Sequence, residues 1–157
     1  IRGWDTMGEL SVILAAATGV ASMVFRNRRF GAAPRVADAA RLLSEKRIGA
    51  VVVSEDGQRP AGILSERDIV RELGRSGADV LQRKVADLMT CKVSTCVCGE
   101  DALTVLQRMT DGRFRHLPVV DENGHMLGIV SIGDAVSGRL KELHAEKEAL
   151  TGMIMGN

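Results

Sequence analysis

Gly62-Ile63-Leu64-Ser65-Glu66-Arg67-Asp68-Ile69 is followed, 66 residues later, by Gly128-Ile129-Val130-Ser131-Ile132-Gly133-Asp134-Ala135. Each stretch reads as the end of a strand that turns at once into a helix. Gly and two aliphatic residues close the strand. Ser stands where a helix N-cap belongs, and an acid follows three positions on. Two readings are open here. One is a repeated capping box, in which Ser and Asp serve only their own helix. The other is a repeated anion site, because the first amides of a helix lack intrahelical partners and face whatever lies ahead.

Outward from these stretches the same register holds without a gap. Leu43 falls on Met109, Arg47 on Arg113, Val53 on Val119 and Val70 on Val136. Val36, Ala39, Ala40, Leu43 and Ile48 give one apolar face of a helix ending near Arg47. Gly49-Ala50-Val51-Val52-Val53 is a continuously apolar strand, as expected of a strand covered on both faces. Ser54 to Gln58 is a turn carrying the Asp56-Gly57 hairpin signal. Ala61 to Leu64 is an antiparallel partner, and Ser65 opens a helix through about Leu73 that Gly74-Arg75-Ser76-Gly77 closes. In the second copy a short helix, Val85 to Met89, and a strand, about Lys92 to Val97, come first. The chain therefore duplicates a helix–strand–strand–helix unit, each preceded by a further strand. A unit of about 60 residues has a small core. Two units packed together remedy that and leave a cleft on each side of a pseudo-dyad, with Ser65 and Ser131 facing those clefts.

The chain has 157 residues, 45% apolar and 26% charged, enough for a packed core. Its 21 basic and 20 acidic residues give a net charge of +1, which supplies no electrostatic case for a nucleic acid. Aromatic residues are 3%, too few for base-stacking platforms. Three cysteines, an odd number, argue against a disulfide framework and for a reducing, cytoplasmic setting. Cys91, Cys96 and Cys98 lack the Cys-x-x-Cys spacing of a metal site, so no metal is expected. No nucleophile–base constellation, Walker loop or zinc motif is present, so the chain is expected not to be an enzyme.

Residues 1–7 read as an N-terminal extension; Met7 is a plausible natural start, which makes Ile1 to Thr6 foreign or upstream sequence. Leu10 to Phe25 is apolar but shorter than the roughly 20 residues that span a bilayer, and Asp5 and Glu9 precede it. It reads as a short helix, Glu9 to about Ala17, then a buried strand, about Val20 to Phe25, so no membrane partner is expected. Arg26-Asn27-Arg28-Arg29 reads as a solvated basic loop, and Pro34 suits the first turn of the next helix.

The motifs resemble a tandem pair of cystathionine-β-synthase-type (CBS) domains from about Gly8 to Leu140. The residues that carry the likeness are Ala37-Asp38-Ala39-Ala40-Arg41-Leu42-Leu43, Ile48-Gly49-Ala50-Val51-Val52-Val53 and the stretch from Gly62 to Ile69. They continue with Val85-Ala86-Asp87-Leu88-Met89-Thr90, Arg113-Phe114-Arg115-His116-Leu117-Pro118-Val119-Val120-Asp121 and the stretch from Gly128 to Asp134. The resemblance implies an α/β (α+β) fold of two β-α-β-β-α repeats, 8–77 and 78–140, packed as a pseudo-two-fold pair. It implies a regulatory role, with AMP, ATP, NAD or S-adenosylmethionine as a ligand in the clefts and no obligatory cofactor. By that likeness Asp68 and Asp134 bind the ribose hydroxyls, and Ser65 and Ser131 contact ribose or phosphate. The adenine lies near Ile48, Gly49 and Ala50 and near Arg115, His116 and Leu117.

The chemistry of the residues fits that assignment. A carboxylate accepts from ribose hydroxyls, and Arg67 adds a cation at the first site. Gly133 stands in the corresponding place at the second site, where Arg115 or His116 must serve instead, so unequal sites are expected. His116 has no paired nucleophile or acid and reads as a cleft wall. Where the family pattern carries Pro-x-x-Thr, this chain reads Ala32-Ala33-Pro34-Arg35 and Cys98-Gly99-Glu100-Asp101. Asp101 can cap a helix but repels phosphate. The last helix, Ser131 to about Ile154, continues past its repeat as a 141–157 extension. Leu140, Leu143, Leu150 and Ile154 form a narrow apolar stripe, and a homodimer contact is expected there. The reading is a non-catalytic adenine-nucleotide sensor acting on an unidentified protein target; the alternative is a ligand-free interaction or dimerisation module.

Overall fold

In a computed structural model of the chain, residues 34–156 and the short strand 25–26 are described. The strands are β1 (Phe25–Arg26), β2 (Ala50–Ser54), β3 (Gly62–Ser65), β4 (Cys96–Val97), β5 (His116–Val120) and β6 (Met126–Ser131). The helices are α1 (Val36–Lys46), α2 (Glu66–Ser76), α3 (Val85–Leu88), α4 (Ala102–Gly112) and α5 (Ile132–Met155), with a 3-10 turn at Gly77–Gln82. Two three-stranded sheets result, β1-β2-β3 and β4-β5-β6. In each the first pair is parallel and the second antiparallel. Ala50 lies opposite Ser65 as His116 lies opposite Ser131, so the duplicated register of the sequence is the register of the sheets.

The central strands are apolar throughout because each of their faces is covered by a different partner. Val51 and Val53 point into a core built with Val36, Ala39 and Leu43 of α1 and Ile69 of α2. Ala50 and Val52 point the other way, onto Ile129, Ile63 and Met126 in a seam between the repeats. Leu117 and Val119 repeat the first arrangement with Ala102, Val105 and Met109 of α4. This is the two-residue period of a strand buried on both faces. The seam also carries polar ties. Met126 N donates to Gln58 O (2.6 Å), and Arg59 Nε donates to Asn123 O (3.2 Å). Beyond α3, Thr90 exchanges hydrogen bonds of 3.1 and 2.9 Å with Ile63, which fastens the inter-repeat linker to β3. The Gly62 position has no room for a side chain, because a Cβ there would run into the Met89 thioether.

Several boundaries differ from the expectation. α2 does not stop at Gly74; it continues to Ser76 and ends at Gly77, the glycine with positive φ (72°). A glycine marks a helix end where the backbone turns left-handed, and an isolated one within the helix is tolerated at about 1 kcal/mol. The strand preceding the second copy is only Cys96–Val97, and Lys92 and Ser94 border a cleft instead. The helix expected at 9–17, the strand from 20 to 24, the rest of the basic loop after Arg26 and the 1–7 extension lie outside the described residues. β1 and α1 are separated by nine residues, β4 and α4 by four. Among the described residues no helix is long and apolar enough to cross a membrane.

Candidate functional site

The repeated Ser-x-x-Asp starts are two complete capping boxes with the same geometry. In the first, the Ser65 amide and hydroxyl donate to Asp68 Oδ2 (3.0 and 2.7 Å), and the Asp68 amide donates to Ser65 Oγ (3.2 Å). In the second, Ser131 and Asp134 reproduce these contacts at 2.9, 2.8 and 3.2 Å. The amide one residue into each helix is engaged as well: Glu66 N donates to Gly49 O (2.9 Å) and Ile132 N to Arg115 O (2.8 Å). Two of the first three amides of each helix are therefore bonded within the protein. The reading of a helix mouth lined with free amides does not hold. Both hydroxyls serve the helix, and of the first three amides only one in each helix, that of Arg67 or Gly133, is left for an anion.

The Asp68 carboxylate keeps one oxygen outside its box. Oδ1 lies 3.7 Å from Arg71 Nη1 and borders a cleft of about 450 Å³ to which both repeats contribute. Ser65, Glu66, Arg67 and Arg71 form the wall from the first repeat. Thr90, Lys92 and Ser94 of the linker form a second side. Arg113, Phe114, Arg115 and His116 close it from the second repeat, and Gly49 lies against His116. Of the eleven residues expected at a site, six meet here: Gly49, Ser65, Arg67, Asp68, Arg115 and His116. Ile48 packs on the first core, Ala50 is buried in the seam and Leu117 in the second core, so Ala50 and Leu117 can offer a ligand only their backbone. Ser131 and Asp134 lie at the other helix start, beside the strand that carries His116.

Arg71, Lys92 and Arg113 are the residues that sequence reasoning missed. Arg71 sits one turn after Arg67 on the same helix, a spacing that could have flagged it. Arg113 ends α4 in the left-handed conformation (φ 58°), as its counterpart Arg47 ends α1 (φ 54°). The cleft thus brings five cations (Arg67, Arg71, Lys92, Arg113 and Arg115) around two carboxylates, Glu66 and Asp68.

His116 is held tightly. A Cβ on Gly49 would stand 2.8 Å from its Cε1, so glycine is required at 49 for the imidazole to lie there. Burial lowers the His116 pKa, and the neighbouring Glu66 and Asp134 charges offset this only in part. Burial thus favours the neutral ring. The Cys96 thiol is buried and pushed up to about 12, so it is not a nucleophile. Among the described residues no group of three or more His, Cys, Asp and Glu side chains converges on a metal position.

A broader, open groove of about 720 Å³ runs along α4, past Leu103, Gln107 and Arg108. Its charged groups are engaged with one another. Arg108 clasps Glu100 (3.0 and 2.6 Å), and Gln107 binds Asp111 (2.9 Å). The smaller inter-repeat cleft, with four cations that have no ion-pair partner among the described residues and with Asp68 Oδ1 beside Arg71, is the better-equipped site.

Two βαββα repeats joined across an apolar seam, with a polar cleft between them, define a paired-repeat module. The CBS domain model matches residues 32–75 and 85–140, and the chain belongs to that family. Proteins of the family are generally regulatory modules and not catalysts. The chain is 38% identical over 125 residues to the mitochondrial CBS domain-containing protein CBSX3 of Arabidopsis thaliana. That match covers 77% of this chain and 60% of the relative, so the chain spans less than two thirds of the relative's length. A CBS-domain protein of Agrobacterium tumefaciens superposes with a TM-score of 0.65 at 37% identity, covering 74% of this chain and 89% of that one. CBSX2 in complex with AMP superposes with a TM-score of 0.57 at 26% identity, covering 78% of this chain and 96% of that one.

Proposed function

We propose that this chain is a non-catalytic sensor that takes an adenosyl ligand (AMP, ATP, NAD or S-adenosylmethionine) into the cleft between its repeats. The observation that carries the reading is the 450 Å³ cleft itself, walled by both repeats, with Asp68 Oδ1, which is outside the capping box, on one side and cations around it. Asp68 Oδ1 accepts from a ribose hydroxyl, a charge-assisted bond. The backbone around Gly49 and the Arg115–Leu117 segment flanks the base, and Arg67 and Arg115 meet phosphate. The capture of AMP by the related CBSX2 supports the ligand class. A ligand that touches both repeats binds one inter-repeat angle better than another, and that differential affinity is the signal a protein target reads.

Titration calorimetry with the four compounds tests this. At least one is expected to bind, and Asp68→Ala is expected to weaken it roughly tenfold or more, the usual yield of a hydrogen bond to a charged group. The variant also removes a capping acceptor, at a cost of about 1 kcal/mol that leaves the fold intact. If none of the four binds, the sensing reading fails.

One observation favours a second role beside the first. Past Glu142, which accepts from Ala102 N (3.2 Å), α5 is exposed, and Leu143, Leu150 and Ile154 lie at seven- and four-residue spacing. A helix of that length is marginal in water unless its apolar stripe is covered. The occupant proposed is the same stripe of a second copy, as a short coiled seam.

A further inference from the structure

Resting on the cleft as the ligand site, we propose that its ligand is a nucleotide carrying three or more negative charges, a di- or triphosphate, whose phosphate tail is held by Arg113 together with Arg67, Lys92 and Arg115. Three observations converge on this. Two of the three helix-start amides that could serve a single phosphate, those of Glu66 and Asp68, are already bonded, to Gly49 O and Ser65 Oγ. The cleft's five cations exceed its two carboxylates by three, so a monophosphate leaves charge unmatched and a cationic sulfonium is repelled. Of those cations only Arg71 is near a carboxylate, Asp68; among the described residues Arg67, Lys92, Arg113 and Arg115 have no ion-pair partner.

The third observation is conformational. Arg113 occupies the left-handed C-cap position of α4, where its amide donates to Met109 O and Thr110 O. Glycine adopts that conformation without penalty and arginine does not. The side chain gained at that cost borders the cleft, and strained positions of this kind collect at ligand sites. Replacement by glycine therefore separates binding from folding: it relieves the backbone and removes the cation.

The test is calorimetry on the full chain with adenosine, AMP, ADP, ATP and S-adenosylmethionine at fixed ionic strength without divalent metal. Affinity is expected to rise from AMP to ADP to ATP, by roughly threefold to fivefold per added phosphate, the yield of one partly exposed ion pair. S-adenosylmethionine should bind more weakly than AMP. Arg113→Gly should raise the melting temperature of the free protein and cut the ATP-to-AMP affinity ratio by about the same factor, with adenosine binding unchanged. Lys92→Gln, which leaves the backbone alone, should flatten the ladder likewise. AMP binding as tightly as ATP, S-adenosylmethionine binding best, or a ratio unmoved in both variants overturns the proposal and leaves the sensing function standing. Binding of none of the compounds overturns both.

Discussion

At Asp68 a single carboxylate oxygen divides a structural role from a recognition role. Oδ2 is engaged twice by Ser65, and Oδ1 remains at the cleft. Sequence showed the pair Ser65/Asp68 but not the division of its two oxygens, which depends on the third dimension. Arg113 was hidden for a different reason. A left-handed C-cap is usually announced by glycine, and here arginine stands in its place. His116 has a consequence for pH dependence. Its pKa in the folded chain lies below the unfolded value of 6.5 because burial penalises the charged ring. Below pH 6.5 the unfolded chain binds more protons, so stability is full above 6.5 and declines as pH falls toward the folded value. Glu66 and Asp134 favour the charged ring and Arg115 opposes it. The lowered carboxylates, Asp56 at about 2 and Glu72 and Glu100 below their usual 4.5, lose their contribution mainly below about pH 5, at the lower edge of this window. Urea midpoints are expected to drop between pH 7 and pH 5, and the drop should shrink in His116→Gln. Equal drops would show that the ring is not responsible.

At the scale of elements, periodicity located most helices and strands, and their ends were the weaker part. Gly74 and Gly77 look alike in a sequence; only the second has the backbone conformation that terminates α2. α4 begins where Asp101 caps it, accepting from Thr104 N at 2.8 Å, a feature open to sequence reading. α5 is buried only near its start, at Ala135 and Gly138, and its later turns leave Leu143, Leu150 and Ile154 exposed. Arg139 bridges Glu142 and Glu146 (3.2 and 3.7 Å), which supports the helix on its polar side but covers none of the stripe. Sedimentation at micromolar concentration is expected to show a dimer, and Leu143→Glu a monomer that retains its ligand affinity. A monomeric parent chain would remove the proposed seam.

At the scale of the whole molecule, the seam makes two small cores into one folding unit. Ala50, Val52 and Ile129 are shared between the repeats, and the Thr90–Ile63 pair ties the linker down. Neither repeat has enough surface buried alone to be comfortable. Heat unfolding of the free protein is therefore expected as one transition with matching calorimetric and van't Hoff enthalpies. Ile129→Asp, which buries a charge in the seam, should lower stability by about 3 kcal/mol or more. Two separate transitions in the parent protein would show that the repeats fold independently.

The 66-residue repetition, the alternation within each strand and the two capping boxes are local patterns, and the linear chain determined them: propensity, period and caps act within a few residues. The cleft is not local. Its walls come from α2, the linker and the end of α4, and its charge is a sum over residues far apart in sequence. Only the packing of one repeat on the other decided that Ala50 and Leu117 would be core, that Gly49 would meet His116 and that Lys92 and Arg113 would stand near Asp68. The physical reason is that long-range contacts follow from which apolar faces cover each other, and a strand buried on both faces does not declare in its sequence which partner lies on which side.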